Sequence, residues 1–230
     1  MVKITKEAIN IKTTLISHTD LQSIKTAAAL PYDSKQSNKL VTKVFDMGHR
    51  SIVRHGMASF LVEGISQSLL RQISRHPMLN LTVKSSRYCN MKDDGYYVPV
   101  KNINKLNNEN KEAVDTGEYI DDIKKVMDIY EKWKHIEGDA KEIDIAKLFL
   151  PLASKTDLVV SGNYQALYEF LMLRNCVRAE TEIRKLSSHM TRILKCNIPE
   201  IFTSLGCKGK DLGYCPETIE PCGKFPLKSE

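Results

Sequence analysis

The sequence predicts an α/β domain whose sheet is mixed or antiparallel, with helices packed on it. Three observations carry that expectation. Segments with period-2 apolar spacing alternate with segments of 3–4 spacing, without strict βαβ repetition. Residues 163–198 contain neither glycine nor proline, so long helices fit there. The 230 residues, 42% hydrophobic and 27% charged, have ordinary globular composition and enough length to bury a core without cross-links.

The elements follow in order. Ala8 to Ser17 alternate loosely around a β-branched run and read as a strand. Asp20 is placed to cap a helix reaching about Leu30, closed by Pro31. A second helix is expected over 36–47. Ala58, Phe60 and Val62 share one face of a strand ending at Gly64. Residues 66–76 read as a helix stopped by Pro77, which has no N–H to give. Thr82 to Tyr88 read as a short strand, and the asparagine-rich stretch 101–117 as a loop or a ragged helix start. Tyr119, Ile120, Ile123, Val126, Met127, Tyr130 and Trp133 mark an amphipathic helix. Asp157 to Ser161 form a strand ending at Gly162. Two helices are expected over about 163–174 and 178–196, with a break near Asn175. The segment from Gly206 is rich in glycine and proline and reads as irregular. The division expected is therefore one domain over 1–205 and a tail over 206–230.

Composition excludes several function classes. No stretch reaches the roughly 20 apolar residues of a membrane span. The N-terminus has no apolar core of signal-peptide length, so a cytoplasmic location is expected. Net charge is +6, but the basic residues belong to separate segments rather than one stripe. A basic nucleic-acid-binding module is thus an alternative of a different class, and no nucleic-acid partner is expected. Six cysteines (89, 176, 196, 207, 215 and 222) include no CxxC pair. Reduced thiols are expected, and the spacing of the last four matches no common zinc motif, so no metal is assigned.

Three sets of residues carry possible chemistry. Arg174 shares the apolar stripe of Leu167, Phe170 and Leu171. A guanidinium there is either salt-bridged or snorkelling, or it meets an anion in a cleft. Arg71 and Arg75 lie one turn apart on the expected helix, with Gln72 and His76 beside them; a solvated charged face is the bland alternative. On the expected strand, Val83, Ser85 and Arg87 share a side, where a hydroxyl and a guanidinium can grip a phosphate or a pyrimidine edge. His49, His55 and His76 lack the i, i+4 pairing of a helical zinc site. No GxGxxG, P-loop or G-x-S-x-G occurs.

Taken together, these segments resemble the flavin-dependent thymidylate synthases. That family's signature is Arg-His-Arg, seven residues, Ser, and then Arg-Tyr. Here it reads Arg75-His76-Pro77, seven residues, Ser85, then Arg87-Tyr88, preceded by Glu63-Gly64-Ile65-Ser66 and Arg71-Gln72. Gly48-His49 with His55, Ala146-Lys147, Leu150-Pro151, Gly162-Asn163, Leu173-Arg174, Ala179 and Glu182-Ile183-Arg184 resemble further landmarks of the family. The likeness spans about residues 20–205.

The resemblance implies the fold of the thymidylate-synthase-complementing proteins, a homotetramer with active sites at subunit interfaces. It implies an FAD-dependent methyltransferase that converts dUMP to dTMP. Methylenetetrahydrofolate is the one-carbon donor and NADPH the reductant of the FAD. By position, Arg174 is the catalytic residue. Gln72, Arg75, Ser85, Ser86, Arg87, Lys147 and Arg174 would hold dUMP. His49, Ser51, His55, Arg75, His76 and Asn163 would hold FAD. Pro77 stands where the signature has its second arginine, and Lys147 where the family has an arginine. Val83 replaces an acidic or amide residue. Arg54, Glu169, Arg178 and Glu180 stand where glutamate, asparagine, histidine and glutamine are common. A diverged homologue that binds flavin or nucleotide with altered or no dUMP methylation is the nearer alternative.

Overall fold

The computed structural model describes residues 10–110, 116–138 and 142–228. Four strands, β1 (Lys12–His18), β2 (Met57–Ser66), β3 (Asn80–Val83) and β4 (Lys155–Asn163), form an antiparallel sheet in the order β1-β2-β4-β3. Contacts beyond both ends of each pair fix the directions. The Thr19 N–H donates to the Met57 carbonyl at 2.9 Å, while a side chain on Gly64 would stand 3.1 Å from the Asn10 carbonyl oxygen. Gln67 N–H meets Ser154 C=O and Tyr164 N–H meets Gly56 C=O, each at 2.9 Å. Lys84 N–H meets Asp157 C=O at 2.9 Å, while Leu79 packs on Gly162. Alternation sets the register: Ala58, Phe60 and Val62 of β2, and Thr156, Leu158 and Val160 of β4, are buried.

The helices are α1 (Gln22–Ala29), α2 (Asn38–Asp46), α3 (Gln67–Ile73), α4 (Val100–Asn110), α5 (Thr116–Glu137), α6 (Tyr164–Arg174), α7 (Thr181–Asn197), α8 (Pro199–Phe202) and α9 (Lys208–Leu212). Asp20 accepts the Gln22 N–H at 2.9 Å, although the N-cap position of α1 is Leu21, whose side chain makes no capping bond, and the break between α6 and α7 begins at Asn175. The expected strand over Ala8–Ser17 has its first two residues outside the described set.

Three expectations need correction, and one open alternative is decided. The helix before Pro77 ends at Ile73, so Arg75 lies in the following turn and not on one helical face with Arg71. Strand β3 stops at Val83, so Ser85 and Arg87 are not two steps along a pleat. The Ser85 hydroxyl accepts the Arg87 N–H (3.3 Å), and its carbonyl accepts from Tyr88 and Cys89 (3.3 and 3.0 Å). A serine side chain competing for backbone donors turns the chain there. Of the two alternatives for the asparagine-rich stretch the helix start holds: it is helical over Val100–Asn110, where Ile103 is buried and Pro99 accepts the Asn102 and Ile103 N–H groups. The remainder of that stretch up to residue 115 lies outside the described set. The tail contains the short helix α9 and a bridge between Cys215 and Leu227, so it is not wholly irregular.

The fold separates into two compact units whose boundaries fall inside all four strands. The first takes the chain through Lys12, Val62–Ile73 and Thr82–Leu158. Its core sets Met127 and Tyr130 of α5 against Met91 and Ala146, and Trp133 stacks on Phe149 at 5.6 Å. The Tyr130 hydroxyl accepts the buried Met91 N–H. At the end of α5 the Glu137 carboxylate accepts the N–H groups of Asp144, Ile145 and Ala146, each at 2.8 Å. Those bonds hold its pKa below the ordinary 4.5, the bonds from Ile145 and Ala146 contributing most. A depressed carboxylate stabilises the fold above pH 4.5 and stops doing so as pH falls through the folded value. Glu137→Gln should therefore lower the thermal midpoint at neutral pH, with the deficit smaller in acid, well below pH 4.5. An equal deficit at both pH values would count against this role.

The second unit comprises Thr13–Leu61, Ser74–Leu81 and Val159–Glu230. Helix α6 is its centre, with Tyr164, Ala166, Leu167, Tyr168, Phe170 and Leu171 all buried. Phe45 and Tyr168 meet edge to face at 5.1 Å, and Tyr164 and Phe202 at 5.8 Å. Gly56 must lack a side chain, because a Cβ there would enter the Tyr164 ring and stand 2.8 Å from Ile24 Cδ1. Asn163 caps α6 by accepting the Ala166 N–H (2.9 Å), and Glu180 caps α7 by accepting from Glu182 and Ile183 (3.1 and 3.3 Å).

Candidate functional site

In the second unit, α6 delivers Arg174 half-buried at the end of its buried stripe. Its guanidinium contacts the Nε2 of His76 through Nε at 3.2 Å and Nη2 at 2.9 Å. A guanidinium only donates, so Nε2 supplies the lone pair and Nδ1 carries the ring proton. Burial, then the Arg174 charge, pushes the His76 pKa down, which favours this neutral form. Phe170 fixes the ring from the side, edge to face at 4.9 Å. Burial and the nearby Arg75 also lower the Arg174 pKa. Among the described residues no carboxylate pairs with Arg174, and Arg75 has no hydrogen-bond or ion-pair partner. Two like charges beside a neutral imidazole form a site that favours an anion.

The same unit holds His49 and Ser51, which line a cavity of about 390 Å³ with Ala27, Pro31, Tyr32 and Val44. Gly48, at φ +90°, turns the chain out of α2 into a 3₁₀ turn over Arg50–His55. His55 ends that turn exposed, its carbonyl accepting from the Ser23 hydroxyl at 3.2 Å. Asn163 spends its Oδ1 on capping α6, which leaves its amide NH₂ to donate.

In the first unit, Arg87 and Lys147 converge on one carboxylate. Lys147 Nζ donates to Asp144 Oδ1 at 2.7 Å, Arg87 Nε donates to the same oxygen at 3.0 Å, and Arg87 also pairs with Glu142. Lys147, then Arg87, hold the Asp144 carboxyl below its usual range. Gln72 sits half-buried on α3, and Ser85 and Ser86 half-buried in the turn before Arg87. The two cations are visible in the sequence, and Asp144 and Glu142 are not marked there as their partners. The i, i+3 spacing of Asp144 and Lys147 was the only local signal for the first of these.

The unusual charges have local partners. Arg54 donates to Gln165 at 2.6 Å, and Gln165 donates to Glu169 at 2.8 Å, so Arg54 and Glu169 close one chain of bonds. Arg178 pairs with Glu217 and Glu220 of the tail. Glu180 is the α7 cap described above. Pro77 and Val83 make no polar side-chain contact, and nothing in the structure explains either choice.

Among the described residues no group of three or more His, Cys, Asp and Glu is gathered as for a metal ion. Nor is any described helix long and apolar enough to cross a membrane.

Residues 14–200 match the sequence family described as thymidylate synthase complementing protein. The flavin-dependent thymidylate synthase of Thermococcus kodakarensis is 31% identical over 229 residues, covering 94% of this chain and 88% of that protein. The enzyme of the same name from Clostridium tetani is 31% identical over 194 residues, covering 81% and 77%. A crystal structure of thymidylate synthase X from Helicobacter pylori with FAD and dUMP is similar in fold, with a TM-score of 0.64 at 23% identity. It covers 84% of this chain and 97% of that one.

Proposed function

Because the chain belongs to the thymidylate synthase complementing proteins, the flavin-dependent thymidylate synthases, we propose that it converts dUMP to dTMP with FAD, methylenetetrahydrofolate and NADPH. The observation that carries this reading is the pair Arg174 and Arg75, cations without a carboxylate, beside a neutral His76. Such a site suits an electron-rich, anionic ligand, and FAD and dUMP are both of that class. The His49 and Ser51 cavity, apolar with a few polar groups, is of a kind that holds a planar ring system.

His49, Ser51, His55, Arg75, His76 and Asn163 would hold FAD, with the Asn163 amide and the His76 Nδ1–H as donors. Bound FAD, once reduced by NADPH, would supply the reducing equivalents of the reaction. Gln72, Arg75, Ser85, Ser86, Arg87 and Lys147 would hold dUMP, with Arg87 and Lys147 giving the charge that a phosphate or a uracil edge requires. Arg174 would polarise the uracil and stabilise negative charge on it, since donors fixed in advance cost no reorganisation when charge develops. The acidic residues Asp144 and Glu142 keep Arg87 and Lys147 neutralised until the substrate arrives. A homotetramer with active sites at subunit interfaces and a cytoplasmic location belong to the same reading.

Pro77 favours a second reading, in which flavin and nucleotide bind without dUMP methylation, because proline removes both a cation and a backbone donor from the signature. Titration of the purified protein with FAD, followed by dUMP, tests both. Micromolar binding of each supports the family reading. Binding of neither rejects both.

A further inference from the structure

Six residues form the 3₁₀ turn Arg50–His55, and a 3₁₀ turn of that length has little stability of its own. Its C-terminal end is well held. Val53 is fully buried, Gly56 lies under the Tyr164 ring, and the His55 carbonyl accepts from Ser23. The N-terminal end, with His49 and Ser51 exposed, depends on Arg50.

The Arg50 guanidinium lies over the rings of Tyr168 and Phe45, at 4.8 and 5.2 Å from their centroids. It is clamped by both oxygens of Asp211, Nη1 to Oδ2 at 3.0 Å and Nη2 to Oδ1 at 2.6 Å. The Tyr168 hydroxyl donates to Asp211 Oδ1 at 3.1 Å, which fixes the carboxylate in turn. The Arg50 Nε is buried without a partner, and Asp211 is the one carboxylate in ion-pair contact with the guanidinium among the described residues. The pair is largely screened from solvent, with side-chain exposures of 27% and 12%. A planar two-point pair in that setting fixes orientation as well as charge.

Asp211 belongs to α9 in the tail, beyond the residues that match the family. The tail is itself a folded strap. Cys215 N–H meets the Pro226 carbonyl at 2.6 Å, Phe225 packs on Gly209, and Glu217 and Glu220 pair with Arg178.

We propose that Asp211 is a positioning residue for flavin binding: through Arg50 the C-terminal strap holds His49 and Ser51 at the mouth of their cavity. This role rests on the reading that those two residues contact FAD. Hydrogen exchange of the ligand-free chain tests the strap, and flavin affinity tests its consequence.

In Asp211→Asn the amides of residues 48–52 should exchange at least tenfold faster while those of α6 do not change. The FAD Kd, followed by fluorescence quenching, should rise about tenfold. The Kd for dUMP at saturating FAD should stay within twofold. Tyr168→Phe, which removes one hydroxyl, should give a smaller change of the same kind. Asp211→Glu should recover much of the loss. Glu217→Gln with Glu220→Gln, which frees the other end of the strap, should leave FAD affinity unchanged. A folded Asp211→Asn or Tyr168→Phe with unaltered exchange over 48–52 overturns the strap. Faster exchange with unaltered FAD affinity overturns the link to flavin. Wild-type protein that shows no FAD affinity at all overturns the underlying functional reading, and the flavin role with it.

Discussion

Arg174→Ala should lower kcat for dTMP formation by about 10²–10³-fold, the usual effect of removing one donor aimed at developing charge. Bound FAD should largely remain, because among the residues proposed to hold it only His76 is in hydrogen-bond contact with Arg174, and His49, Ser51, His55 and Asn163 are not. The variant carries an independent signature. The Arg174 charge is one of the two causes that hold the His76 pKa down, after burial. Its removal should raise that pKa towards the ordinary 6.5, readable by NMR titration of the ring. Near-normal turnover would reject the catalytic role. An unmoved His76 titration would reject the electrostatic contact.

Arg87→Ala should raise KM for dUMP by about 10–100-fold with kcat changed much less, as expected for loss of a charge-assisted contact made in ground and transition state alike. Lys147→Ala should act in the same direction, and the wild-type KM should climb with ionic strength because both cations are near solvent. Asp144 offers a control. Arg87 and Lys147 both depress its pKa, so each variant should raise it. A kcat loss with unchanged KM would place Arg87 in the chemical step and contradict its assignment to binding.

The sequence was most legible where one period dominates. The alternation of Ala58, Phe60 and Val62 located β2, and the stretch free of glycine and proline located α6 and α7. Arg174 on an apolar stripe was equally visible, because a charge among Leu167, Phe170 and Leu171 contradicts the pattern around it. Ser85 to Arg87 were misread because a β-like composition does not reveal a serine hydroxyl taking a backbone N–H. The segment from Val100 stays open in sequence between loop and helix start because asparagine is a poor helix former, and buried Ile103 outweighs that preference. Partners were the least legible feature. Arg87 meets Asp144 across 57 positions and Arg50 meets Asp211 across 161. No local spacing encodes such pairs, so the sequence showed the cations and not what holds them.

The charge substitutions show the same limit. Arg54 and Glu169 each depart from the family's usual residue, and from sequence each stands alone as a change near the site. In the fold they close a single chain through Gln165. Glu180 departs by one charge and still serves as an N-cap, because a carboxylate oxygen accepts backbone N–H groups as an amide oxygen does.

The most direct measurement is release of tritium from dUMP labelled at C5, in purified protein given FAD, NADPH and methylenetetrahydrofolate, with dTMP followed in parallel. Label should be released in step with dTMP, both dependent on each of the three. Tight binding of FAD and dUMP with neither release nor dTMP would contradict the proposed function, leaving a family member that holds these ligands without methylating the base.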